Sequence, residues 1–233
     1  MPAGLQIRND SNVLQVDGVN QHMVLLRAGV MTTGHLASGR TDIASSMATV
    51  AQNNGEILAI QAGGAGFSIA GRYGGVTTVY FQGIGEGTLI AYWVFGPYTP
   101  SGVNYGMLIR DVNNVPIWDT GRPPMRVVQT VSGLGTFTVG VAGKTYALAA
   151  VTQYGKLERS GAGLPGQPGN QNLLQTFTTG YGAISGQTVT IQNSLTIGGV
   201  YGPVSSSQIP AGWGGVWDNQ QQNTYTVLDV TNY

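Results

Sequence analysis

Gly4-Leu5-Gln6-Ile7-Arg8-Asn9-Asp10-Ser11-Asn12-Val13-Leu14-Gln15-Val16-Asp17 is a β-hairpin written out in residue types. Leu5 and Ile7 alternate with Gln6 and Arg8, as on a strand with one covered face. Asn9 to Asn12 form a cluster whose short polar side chains bond their own backbone and tolerate left-handed conformations, so a turn belongs there. Val13, Leu14 and Val16 begin the return strand.

The same pattern returns at residues 106–119, Gly106-Met107-Leu108-Ile109-Arg110-Asp111-Val112-Asn113-Asn114-Val115-Pro116-Ile117-Trp118-Asp119. Laid beside residues 4–17 without gaps, six of fourteen positions are identical: Gly4/Gly106, Ile7/Ile109, Arg8/Arg110, Asn12/Asn114, Val13/Val115 and Asp17/Asp119. An apolar strand follows each copy, at His22–Leu26 and at Met125–Val128. Shared Arg and Asp at fixed offsets argue for an internal repeat over chance likeness between hairpins. Between the copies, Gly96-Pro97-Tyr98-Thr99-Pro100-Ser101-Gly102 has the Pro and Gly content of a boundary. The chain is therefore expected to be all-β, with two hairpin-initiated, β-sandwich-like units. The first is an N-terminal domain over 1–100. The second is a C-terminal domain over 101–233.

Further strands are expected at 57–61, 66–70, 76–81, 88–95, 135–141, 144–151, 173–179, 188–192, 195–197 and 225–230, where short β-branched and aromatic runs are separated by turn residues. Glycine reaches 37 of 233 residues, about twice the usual ~7%, which fits many turns and bulges. One short helix is expected at Thr41–Gln52, capped by Thr41, with Ile43, Met47 and Val50 on one face.

Charge is the most unusual property. Charged residues make up 9% of the chain, against about 25% in ordinary soluble domains. With 4 Trp, 11 Tyr and 5 Phe the chain is too aromatic for disorder. From Ser160 to Trp217 there is no Asp, Glu, Lys or Arg. Exposed strand edges are usually protected by charge, so an uncharged β-rich segment implies that neighbouring subunits cover it. Net charge is zero, which favours association. No Lys/Arg cluster supplies the electrostatic footprint of nucleic-acid binding.

Chemistry-bearing patterns are sparse. Gly161-Ala162-Gly163-Leu164-Pro165-Gly166 spells a dinucleotide fingerprint, but the Pro and the following Gln167-Pro168-Gly169 prevent the helix that the motif opens. The triplets beginning at Gly163, Gly166 and Gly169 are too few for a collagen triple helix and read as an extended loop. His22 and His35 are the two histidines and there is no Cys, so neither a thiolate nor a poly-histidine metal site is expected. No nucleophile elbow and no paired carboxylates announce a hydrolase. Catalytic residues, cofactors and metals are accordingly all expected to be absent. The first residues lack the cationic lead and apolar run of a signal peptide, and no apolar run is long enough to span a bilayer.

Candidate interface residues follow from the repeat and from the uncharged segment. Arg8 and Arg110 are repeat-equivalent, and two readings stand side by side: an ion pair across strands or subunits, with Asp17 and Asp119 as candidate partners, or an arginine that faces solvent. Phe177 and Ile191 are apolar strand positions within the uncharged segment. Trp213 and Trp217 are flanked by glycine, and so suited to wedging into an interface or stacking on a sugar.

The hairpin motif, with the mid-chain run Tyr105-Gly106 through Asp119-Thr120 and the terminal strand Val227-Leu228-Asp229-Val230-Thr231-Asn232-Tyr233, resembles small tail-tip, baseplate and tail-fibre-associated structural proteins of tailed bacteriophages. In that family a Gly-Leu-x-Ile-x-Asn hairpin is repeated. The likeness covers residues 4–27, 105–128 and 224–233, and departs in carrying Asn12 and Asn114 where a turn glycine is common. It implies a structural virion role in the tail, assembly in the cytoplasm of a host bacterium, and no catalytic residues. The expected partners are copies of the chain itself, most simply as a homotrimer, and other phage tail proteins. The alternative is a tail-fibre module that binds a host surface glycan or receptor.

Overall fold

The computed structural model describes the backbone of residues 7–8, 14–16, 22–35, 46–164, 167–205 and 215–233, and the side chains of 22–35, 46–159, 175–193 and 216–233. The protein is all-β, and no helix occurs among the described residues. The first half contains β1 (Ile7–Arg8), β2 (Leu14–Val16), β3 (Met23–Thr32), β4 (Ser46–Ala51), β5 (Ile57–Gln61), β6 (Gly66–Tyr73), β7 (Val76–Gln82) and β8 (Leu89–Pro97). The second contains β9 (Leu108–Arg110), β10 (Pro116–Asp119), β11 (Val127–Ser132), β12 (Gly135–Thr138), β13 (Tyr146–Thr152), β14 (Gly155–Leu164), β15 (Gln167–Ser185), β16 (Thr188–Ser205), β17 (Gly215–Asp218) and β18 (Thr224–Asp229).

The two hairpins share their register. In β1–β2, Ile7 lies opposite Val16 and Arg8 opposite Leu14. In β9–β10, Ile109 lies opposite Trp118 and Arg110 opposite Pro116. These are the repeat-equivalent pairs, with the irregularity at the same step. In the second hairpin the Asp111 carboxylate accepts the amides of Asn113 at 2.9 Å and Val115 at 2.8 Å. Asn114 takes φ +64°, a left-handed position that Asn tolerates.

The repeat extends far beyond the hairpins. One antiparallel sheet has the order β11-β18-β13-β5-β8-β3, and a second has β12-β16-β15-β6-β7-β4. Each half gives three strands to each sheet. Position for position, β3, β8 and β5 correspond to β11, β18 and β13, and β4, β7 and β6 correspond to β12, β16 and β15. The halves meet where β5 pairs with β13 and β6 with β15. Residue 100 therefore separates two sequence repeats but not two separate domains, because both sheets run continuously across the junction.

The sheets pack face to face. Ile60, Val94, Leu148 and Val227 from the first meet Phe67, Phe81, Val189 and Ile191 from the second in one buried cluster. The first sheet also curls until its edges touch. Val24 bridges Pro124, Leu25 N–H donates to Pro123 O, and Met125 N–H donates to Met23 O, both at 2.8 Å. Its concave face encloses a second cluster containing Ala59, Ala147, Trp93, Phe95, Leu228 and Val230. Small alanines on the two central strands leave room for Trp93 and Phe95 on β8 and Leu228 on β18.

The helix expected at Thr41–Gln52 is replaced, over Ser46–Ala51, by the edge strand β4, paired along its length with β7. Ser46, Ala48 and Val50 are buried while the residues between them are not. That period-two pattern prevails because pairing with β7 satisfies every second backbone group and puts Val50 into the core. Residues 41–45 of the expected helix lie outside the described residues, and Gln52 follows β4 as non-helical chain.

One feature breaks the correspondence between halves. In the first half, β5 passes to β6 through Ala62–Ala65. In the second, the equivalent passage contains all of β14 and most of β15. With 19 residues, β15 is about 60 Å long at roughly 3.3 Å per residue, against about 25 Å for β6. β14, β15, β16 and β17 thus form an antiparallel arm rooted in the second sheet.

Candidate functional site

The arm carries an apolar row. Leu157 on β14 lies opposite Trp217 on β17 and Phe177 on β15, and Phe177 lies opposite Ile197 on β16. Directly opposed residues in antiparallel strands share a face, so β17, β14 and β15 each give one large apolar residue to the same side. Trp217 is 56% exposed, and Leu157 and Phe177 are half-buried. Phe177 continues into a half-buried group with Met47, Tyr80 and Tyr181 on the outer face of the second sheet. The charges of β14 stand mainly on the other side: Lys156 and Glu158 pair there at 2.7 Å. Arg159, on the apolar side, donates from Nε to Gln175 Oε1 at 3.3 Å.

Of the expected interface residues, Phe177 and Trp217 share this row. Arg8 takes its expected place in β1, and its side chain lies outside the described residues, as do Asp17 and Trp213 altogether. Ile191 is no interface residue. It is fully buried in the core between the sheets, covered by its own chain, because its neighbours in register place it on the inner face. Within the chain Arg110 and Asp119 form no ion pair, and Arg110 takes the solvent-facing alternative. Exposed Arg110 donates to the carbonyl of Asn114 at 2.8 Å, closing its own turn.

Asp119 is 7% exposed and acts as a hub. It accepts Tyr98 O–H at 2.7 Å, Ser101 N–H at 2.9 Å and Gly121 N–H at 2.8 Å. Burial alone would raise its pKa, but these donors outweigh burial and hold it below the ordinary value. Tyr98 is pushed up to about 12 by burial and by its bond to the carboxylate. The hub ties the segment between the repeats to the second hairpin, whose Ile109, Ile117 and Trp118 pack on Val24, Leu26 and Tyr98 of the first half.

Three structural residues escaped the sequence reading. Arg27 on β3 makes a two-pronged contact with Glu56, Nη1 to Oε1 at 3.1 Å and Nη2 to Oε2 at 2.7 Å, and also donates to Ala51 O. Glu56 accepts Asn53 N–H at 2.8 Å as well. The hydrogen bond from Arg27 lowers the Glu56 pKa to about 2 against the opposing effect of burial. Asp229 is also held below its ordinary value, because bonds from Thr231 and the charges of Arg126 and Lys144 outweigh burial.

All three carboxylates titrate lower in the folded than in the unfolded chain. Their stabilisation is present above the ordinary carboxylate pKa and is lost as pH falls through the folded values. The melting temperature is therefore expected to decline from about pH 4.5 toward pH 2, and to decline less steeply in Glu56→Gln. Thermal melts across that range check this.

Among the described residues no three His, Asp or Glu side chains gather as a metal site requires. No helix among them is long and apolar enough to cross a membrane. Comparison with protein families, with curated proteins and with solved structures gives no match for the chain.

Proposed function

We propose that this protein is a structural component of a bacteriophage tail tip or baseplate, that it assembles with copies of itself, and that the arm is its principal contact surface. The observation that carries this reading is the apolar row on the arm, from Trp217 through Leu157 to Phe177, which is left half-covered by its own chain. A solvated β-sheet normally carries charge on such a face to prevent sticking. Here the few charges of β14 lie mostly on the opposite side. The repeated hairpin, with its register preserved in both copies, supports the same family resemblance. A closed cyclic arrangement, most simply three copies, would cover every arm without leaving one adhesive face open. The reading places the protein in the virion tail, beside other tail proteins, after assembly in the bacterial cytoplasm, and assigns it no reaction.

Leu157→Asp and Phe177→Asp test it. Burying an unpaired carboxylate at a subunit contact costs several kcal/mol, whereas at a half-exposed position the isolated chain tolerates it. Light scattering at tens of micromolar is expected to show an oligomer for the native chain and a folded monomer for either variant. A native chain that is monomeric, or oligomers that survive both substitutions, would remove the arm as the contact.

A further inference from the structure

We infer that the cleft between the β5–β6 turn, the β7–β8 turn and the root of the arm is a binding site for a neutral oligosaccharide. The cleft has a volume of about 960 Å³, and none of the residues lining it is charged. That volume is at the upper end for small-molecule sites, which run to about 1,000 Å³, and admits a chain of several sugar units.

The lining has the chemistry of polyol recognition. Gln61, Gln82, Gln192, Thr88, Thr190 and Tyr181 bring amides and hydroxyls to its wall. A side-chain amide carries donors and an acceptor side by side, which suits the alternating donor and acceptor roles of neighbouring sugar hydroxyls. Hydrogen-bonding capacity is left over. Gln192 Oε1 accepts Tyr181 O–H at 2.6 Å, leaving the Gln192 NH₂ outside that bond. Ala62, Ile84 and Ala183, each under 10% exposed, supply apolar floor for the C–H faces of a sugar ring. The rim includes Gly64 and Gly83, at φ +94° and +78°, where L side chains are strained and the backbone stays bare. Tyr181 is held in place by Gly66, where an added Cβ would stand 2.2 Å from the ring Cδ2.

A charged ligand fits poorly, since desolvating its charge here would meet no counter-charge. Cleavage is not expected, since glycoside hydrolysis uses two carboxylates across the bond and the lining has none. The site depends on the sandwich and the arm root of one chain, so its test stands apart from that of self-association.

The native protein is applied to an immobilised panel of neutral glucan, mannan, galactan and N-acetylhexosamine oligomers, with sialylated and sulfated oligomers alongside. The best neutral binder is then titrated calorimetrically. Binding of at least one neutral oligomer is expected, without competition from the charged ones. Gln61→Ala with Gln192→Ala is expected to weaken it about tenfold or more, from the loss of two neutral hydrogen bonds. Leu89→Asp, at a rim position that is 69% exposed, is expected to weaken it while leaving the melting temperature unchanged. Failure of every neutral oligomer to bind, or binding undiminished in the variants, overturns the assignment.

Discussion

Ile191→Asp is expected to abolish folding rather than to separate subunits. Ile191 sits on β16 between Gly182 of β15 and Gly135 of β12, with no exposed surface, and belongs to the cluster that joins the two sheets. A carboxylate there has neither water nor a counter-charge, and an unpaired buried charge costs several kcal/mol. A domain of this kind has about 5–15 kcal/mol in total, and the lost packing of the isoleucine adds to the deficit. Circular dichroism with urea titration should show no cooperative transition for Ile191→Asp. Ile191→Val should fold with a loss of about 1 kcal/mol. A variant that melts like the native chain would mean that the two sheets do not enclose this position. The comparison with Leu157→Asp is informative, since both residues are apolar strand positions and differ chiefly in what their own chain does to cover them.

Asp119→Ala carries the second large effect. Removing the carboxylate orphans the buried Tyr98 hydroxyl and takes the acceptor from the Ser101 and Gly121 amides, which are partly open to water. The hydroxyl carries the main cost and the amides a smaller one, together about 2 kcal/mol. Tyr98→Phe deletes one donor and leaves the two amide bonds, so about 1 kcal/mol is expected. The sign with pH follows from the lowered pKa: the contribution is complete at neutral pH and fades as acid protonates the carboxylate. The gap in urea midpoint between the native chain and Asp119→Ala should therefore be widest at neutral pH and narrow as pH falls below the ordinary carboxylate value. Amide hydrogen exchange at Ser101 and Gly121 should quicken in the variant, since those amides lose their acceptor. Equal midpoints at neutral pH would show that the hub contributes nothing.

The hairpins were legible because turn chemistry is local: Asn12 and Asn114 announce themselves whatever surrounds them. The joining of the halves was not, because alternation reveals which face of β5 or β13 is covered and says nothing about which strand lies alongside. Thr41–Gln52 misled for a related reason. Ile43, Met47 and Val50 satisfy a helical spacing, while the rival alternation of Ser46, Ala48 and Val50 relies on residues too small and polar to register as a buried stripe. At the candidate site, the uncharged segment directed attention to Phe177 and Trp217. Leu157 was missed because Lys156, Glu158 and Arg159 surround it in sequence; strand geometry sends two of those charges to the far side. Ile191 and Asp119 looked available for contacts because burial is decided by the facing sheet and by Tyr98, neither of which is near in sequence. The cleft was invisible for the strongest reason, since its wall is gathered from two turns and an arm root that approach one another only in the folded chain.

The arm belongs to one half alone. Without it, the matching strand orders would make the protein nearly indistinguishable from itself after half a turn, and a neighbour could dock in either of two orientations with similar energy. Two insertions, one between β13 and the body of β15 and one between the body of β16 and β18, remove that ambiguity. Each molecule has a head and a tail, and anything built from it through the arm inherits a direction.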